Sequence, residues 1–183
     1  MSLESAARAL QSTAFSQTLQ ATPWVVPTLQ TIHIVMIGVV FVSILMIALR
    51  VLGWVRTEQP FPHVWRRFAP FLWTGLAVMA LTGLLLTLAE PVREVMALSF
   101  RIKMALLLVG IVSAMAFGRS VRAAARAEGA AAAERPFPLA VRVASVITVL
   151  LWLFIIFLGR AIAYDNSVWG SWSPAVLQRG AST

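Results

Sequence analysis

WVVPTLQTIHIVMIGVVFVSILMIAL, residues 24–49, runs without a single Asp, Glu, Lys or Arg. A bilayer hydrocarbon core is about 30 Å thick, and a helix rising 1.5 Å per residue crosses it in about 20 residues. The stretch therefore reads as a membrane span, with Pro23 and Pro27 near its start, where a missing N–H costs little. Three more apolar runs follow, Phe71 to Ala89, Met104 to Gly118 and Val143 to Gly159, bounded like the first by arginine and tryptophan. With interfacial flanks the expected spans are 24–50, 70–89, 101–119 and 139–163. The predicted fold is all-α, an integral membrane four-helix bundle that makes residues 1–183 one transmembrane domain.

Composition agrees. Hydrophobic residues are 60% of the chain and charged residues 12%, half the share of an ordinary globular domain. No polar stretch is long enough to enclose a core of its own. The net charge of +8 would point to nucleic acid in a soluble protein. Here the arginines sit at helix ends, where they snorkel and meet anionic lipid, so the lipid bilayer and not nucleic acid is the expected partner. There is no cysteine, which excludes disulfides, thiolate metal sites, c-type haem attachment and thiol catalysis. Glu4 and the lone Arg8 do not make a basic n-region ahead of an apolar run, so no signal peptide is expected.

Charge placement predicts orientation. The loops after the first and third spans hold nine arginines against three acids, net +6, and the other side holds six cations against four acids, net +2. The positive-inside rule puts both arginine-rich loops in the cytoplasm and both termini on the opposite, periplasmic side. Residues 2–20 carry Leu3, Ala7, Leu10, Ala14 and Leu19 roughly on one face, the pattern of an amphipathic helix in the outer interface. Trp24, Trp54, Trp65, Trp169 and Trp172 mark interfacial belts. Pro62 to Ala69 reads as a short interfacial helix, with Pro70 opening the second span. The third helix is expected to extend into the alanine- and arginine-rich loop until Gly129 and Pro136 break it. Residues 164–183 show no period and read as an irregular or partly disordered external tail.

Association in lipid relies on small residues and polar contacts. Gly110, Ala114 and Gly118 form one seam on the third span, and Gly75, Thr82, Gly83 and Thr87 lie on a related stripe of the second. These are read as helix contacts within one bundle, with a homodimer seam as the other reading.

An ionisable residue inside a bilayer is costly and is a functional candidate by default. His33 lies about 13 Å below Trp24 by helix rise, with Gln30 one turn earlier on the same face. The histidine is either satisfied by a neighbouring helix, an axial haem ligand, a metal ligand or a hydrogen-bond partner of a quinone. His63 is read as an interfacial helix-start residue at the cytoplasmic end of the second span, roughly 20 Å or more from His33 in depth, so the two cannot clamp one haem. Lys103, the lone lysine among fourteen arginines, and Arg160 and Arg101 lie toward the outer leaflet. They either snorkel or form a basic pocket facing His33 and Gln30, able to hold a carboxylate, a haem propionate or a lipid phosphate. Glu90 and Asp165 are candidate partners for these cations. No catalytic triad, phosphate loop, paired carboxylates or metal-ligand set is present, so no catalytic residues and no metal site are assigned.

The segment PWVVPTLQTIH (23–33), its exit LRVLG (49–53), TGLLL (82–86), and Phe100 with Lys103, Met104 and Leu107 resemble an uncharacterised family of small bacterial four-span inner-membrane proteins. The resemblance covers about residues 3 to 115, and Gln30 stands where that family carries an acid. In architecture alone the chain is similar to copper-resistance membrane proteins and b561-like cytochromes. The resemblance implies a multi-pass protein of the bacterial inner membrane. The expected function is a non-catalytic membrane subunit or accessory protein, packed against other membrane subunits or a second copy of itself. The alternative is an electron-transfer protein with haem b or a quinone at His33, where Met104, Met79 or another chain supplies any second ligand. Transport of copper or a small solute ranks last, because the second and fourth spans carry almost no polar path.

Overall fold

The computed structural model describes residues 3–127 and 137–174, with side chains up to 119 and from 137 onward. The described residues form helices and no strand: α1 (Leu3–Gln11), α2 (Ala14–Ala21), α3 (Val25–Leu52), α4 (Phe61–Ala89), α5 (Pro91–Met96), α6 (Leu98–Ala127), α7 (Leu139–Ala161) and α8 (Asp165–Trp169). Four helical segments, beginning at Val25, Phe61, Leu98 and Leu139, have mean hydropathies between 1.9 and 2.8 and are long enough to cross a bilayer. The chain is an all-α, multi-pass membrane protein. Ile34, Val42, Leu81, Leu108, Leu150 and Phe157 stay exposed, a surface that only a hydrocarbon solvent tolerates.

Three elements differ from the sequence expectation. The N-terminal segment is two helices, not one. Thr13 takes an extended backbone and its hydroxyl accepts from the Ser16 N–H, starting α2 afresh, as a threonine N-cap does. The buried positions are Ala7 and Ser16, while Leu3 and Leu10 remain exposed. Second, the interfacial helix expected over Pro62 to Ala69 and the helix expected from Pro70 are one continuous helix. The helix begins at Phe61 and runs through Pro70 unbroken. The missing N–H removes one backbone bond, a loss membrane helices absorb, and burial of Phe61, Val64, Trp65 and Ala69 fixes the turns before it. Third, the described part of the C-terminal segment is ordered into helical turns, Ile162–Tyr164, α8 and Gly170–Trp172. The extension of α6 reaches Ala127 as expected; the break expected at Gly129 and Pro136 lies outside the described residues.

The turn from α3 to α4 follows from Gly53. Its φ of 79° is a left-handed conformation that glycine adopts without a Cβ penalty. Gly53 N–H bonds the Arg50 carbonyl and Trp54 N–H the Leu49 carbonyl, the Schellman pattern.

α3 is the centre of the bundle. It packs along α4 on one side and α7 on the other, and α7 packs on α6, whereas α4 and α6 approach each other little. Val40, Ile44, Leu72, Leu76, Trp152 and Ile155 make the midplane core. At the arginine-rich end, Ile47, Val51, Phe61, Trp65 and Ala69 make a second cluster. There the Phe61 ring meets Phe117 and Phe137 edge-on at 5.8 and 5.1 Å, an arrangement aromatic quadrupoles favour. The glycine seams serve this packing. A Cβ on Gly75 would lie 2.7 Å from a methyl of Val40, one on Gly118 2.7 Å from the Trp65 ring, and one on Gly110 3.5 Å from Trp152.

Candidate functional site

His33 sits on α3, half-buried, opposite Thr82 and Gly83 of α4. Its Nδ1 is 2.8 Å from Thr82 Oγ1. The same hydroxyl lies 2.8 Å from the Val78 carbonyl, and a hydroxyl has one proton to give. With Nδ1 protonated, Thr82 Oγ1 accepts from His33 and donates to Val78; with Nδ1 unprotonated, Thr82 Oγ1 donates to the ring. Gly83 makes the approach feasible, since a Cβ there would stand 3.3 Å from the ring. Gln30, expected to share the pocket, is exposed. The partner of His33 lies 49 residues away on the neighbouring helix.

Lys103 enters the same half of the bundle from α6. Its Nζ lies 3.4 Å from where a Cβ of Gly159 would be, against the bare backbone of α7. It is within electrostatic reach of both His33 and Glu94. Glu94, read from the sequence only as part of the charge balance, is the acid whose charge acts on it. Burial raises the Glu94 carboxyl above the usual carboxylate range; Lys103 and Arg93 oppose that shift and Glu90 adds to it.

The other expected members of the basic pocket go elsewhere. Arg101 is exposed and donates through Nε to the Val95 carbonyl at 3.0 Å. Arg160 lies over the Tyr164 ring at 5.4 Å, a cation–π contact. Glu90 pairs with Arg93 on the next turn. Asp165 pairs with no expected cation. It is buried, and its carboxylate accepts from Leu98 N–H (3.1 Å), Ser99 N–H (2.9 Å), Ser99 Oγ (2.7 Å) and Ser173 Oγ (2.6 Å). Trp169 Nε1 completes the set by donating to Ser99 Oγ at 2.8 Å. A carboxylate on the first N–H groups of a helix satisfies orphan donors and complements the helix dipole. Asp165 is thus an N-cap supplied from the far end of the chain.

His63 stands in the first turn of α4, exposed. The 19 positions separating it from Thr82, the partner of His33, correspond to about 28 Å of helix. Among the described residues no group of three metal-ligating side chains assembles. Arg50, counted in the sequence only for orientation, is buried at the arginine-rich end of α3. It donates to the Gln59 carbonyl from Nε (3.1 Å) and Nη2 (2.9 Å), holding the α3–α4 loop.

Compared with family models, with curated proteins and with solved structures, the chain matches none of them. The fold defines its class as a multi-pass, four-span helical membrane protein.

Proposed function

We propose that this protein is a non-catalytic integral membrane subunit whose α6 face is covered by a second membrane chain or by another copy of itself. The observation that carries the reading is the unequal burial of the four spans. Only 6% of the apolar stretch of α6 is buried within the chain, against 22–28% for the other three. Two polar contacts meanwhile join elements of the bundle, His33 with Thr82 within the spans and Asp165 with Ser99 at their outer end. We also take the membrane to be the bacterial inner membrane, with the arginine-rich loops cytoplasmic and both termini periplasmic. The charge asymmetry and the family resemblance of residues 3 to 115 support this. Reporter fusions at Thr22 and within residues 128–136 test the topology: activity of a periplasm-dependent enzyme at the first site and not the second is expected.

In-membrane photo-crosslinking tests the subunit reading. A photoreactive residue at Leu108 or Val112 is expected to give discrete protein adducts, and one at Leu150 or Leu81 only lipid adducts. Lipid adducts at all four positions, with a monomer in mild detergent, would remove the reading.

A second reading, a redox protein with haem b or a quinone at His33, draws on one observation: Thr82 Oγ1 holds the ring through Nδ1 at 2.8 Å, which leaves Nε2 as the atom that would ligate iron or hydrogen-bond a quinone. Its test is an oxidised and dithionite-reduced absorption spectrum of protein from its native membrane. A Soret band stoichiometric with the chain and lost in His33→Ala supports a cytochrome; a colourless sample ends that version. Bound quinone lost from His33→Ala supports the other, and unchanged quinone content ends it.

A further inference from the structure

At the arginine-rich end α4 and α6 meet through large side chains, with the Trp65 ring seated on Gly118 and edge-on to Phe117 at 5.9 Å, and space is left beside the indole. The result is a half-open cavity of about 330 Å³, lined by Trp65 and Trp73 of α4 and by Ala114, Met115, Gly118 and Arg119 of α6. We infer that this cavity is a specific binding site for an acidic phospholipid of the phosphatidylglycerol class. Its phosphate meets Arg119, and the upper part of one acyl chain lies against the two indoles.

The wall chemistry commits the occupant. Five of the six lining side chains are apolar, aromatic or absent, which suits hydrocarbon and gives a soluble anion nothing to hold. The sixth is an exposed guanidinium, a fork that bonds phosphate oxygens in pairs. Arg119 puts a positive charge in the wall of the cavity, and a zwitterionic lipid would gain little of that attraction. The volume is at the small end of ligand pockets, about 300–1,000 Å³, enough for a chain segment and glycerol.

The test uses the full chain in mild detergent, titrated with phosphatidylglycerol or phosphatidylcholine, read by melting temperature and by native mass spectrometry. Phosphatidylglycerol is expected to bind saturably at one molecule per chain and to raise the melting temperature, with no saturable response to phosphatidylcholine. Arg119→Gln should weaken binding about fivefold, the effect of one cation near an anionic lipid headgroup. Ala114→Phe, which fills the cavity, should abolish the saturable phase, and Arg8→Gln on α1 should leave it intact. Equal responses to the two lipids would overturn the proposal, as would an Arg119→Gln variant that binds normally. Weakening by Arg119→Gln but not by Ala114→Phe would also overturn it, by reducing the site to a surface charge effect.

Discussion

At the scale of single residues, two carboxylates show how burial and hydrogen bonding divide the same chemistry. Asp165 accepts four hydrogen bonds from Leu98, Ser99 and Ser173, so its ionised form is fully satisfied. Asp165→Asn puts an amide N–H₂ against donors and removes the charge. The expected cost is about 2–4 kcal/mol, measured as loss of thermal stability in detergent. Glu94 is the reverse case: burial raises its carboxyl, so the folded chain holds that proton more tightly than the unfolded chain does. Its contribution is present at acid pH and is lost as pH rises through the raised folded value. Stability should therefore fall as pH rises from the ordinary carboxylate range into that window, and Glu94→Gln should flatten the fall. An unchanged profile in the variant would assign the slope to another group. His33 and Lys103 were legible in the sequence, because an ionisable group in an apolar run stands out. Thr82 and Glu94 were not, because the bond of Thr82 to His33 and the closeness of Glu94 to Lys103 are set by how helices dock, and a threonine in a span has no distinctive signal. Gln30 misled for a related reason: sharing a helix face with His33 does not place both side chains against a neighbour.

At the scale of the helix, the small-residue pattern was legible and its partners were not. The four-residue spacing of Gly110, Ala114 and Gly118 suggests backbone on backbone, yet Gly110 and Gly118 receive the flat faces or edges of Trp152 and Trp65. Glycine here makes room for a large ring on the facing helix. Gly75 is the tightest case within α4, since an added methyl would sit 2.7 Å from the β-branched and stiff Val40. Gly75→Ala is expected to destabilise the bundle by about 1–3 kcal/mol, the usual cost of overpacking. Gly38, mid-helix in α3, has nothing within 4 Å of an added Cβ. Gly38→Ala should be neutral or stabilise by up to about 1 kcal/mol, through reduced backbone entropy in the unfolded chain. Parallel melts of the two variants check this; equal losses would mean that helix propensity, and not contact with Val40, governs both sites. Pro70 teaches a similar lesson. Proline reads as a boundary in a soluble helix, but burial on both sides of it carries α4 straight through.

For the molecule as a whole, hydropathy was sufficient for the four-span, all-α fold, and insufficient for what closes the ends of the spans. Where α4 ends, the Ala89 carbonyl accepts from Gln20 Nε2 at 2.6 Å and Ser16 Oγ at 3.4 Å, both from α2. Where α6 begins, Asp165 caps from beyond α7. The two segments outside the spans thus act as caps on helices 66 to 73 residues away in sequence, and no local motif records such a pairing. In a membrane interface this matters more than in water, because a helix end without partners leaves backbone groups poorly solvated. Deletion of residues 1–21 should consequently leave four spans inserted while uncapping α4. The expected loss is about 2–4 kcal/mol, from two hydrogen bonds and the buried contacts of Ala7 and Ser16. Gln20→Ala alone should reproduce about 1 kcal/mol of it. Protease protection of the spans in membranes, together with melting of the purified variants, separates the outcomes. Intact insertion with lowered stability agrees with a capping role. Undiminished stability would mean that α1 and α2 rest on the bundle without closing it.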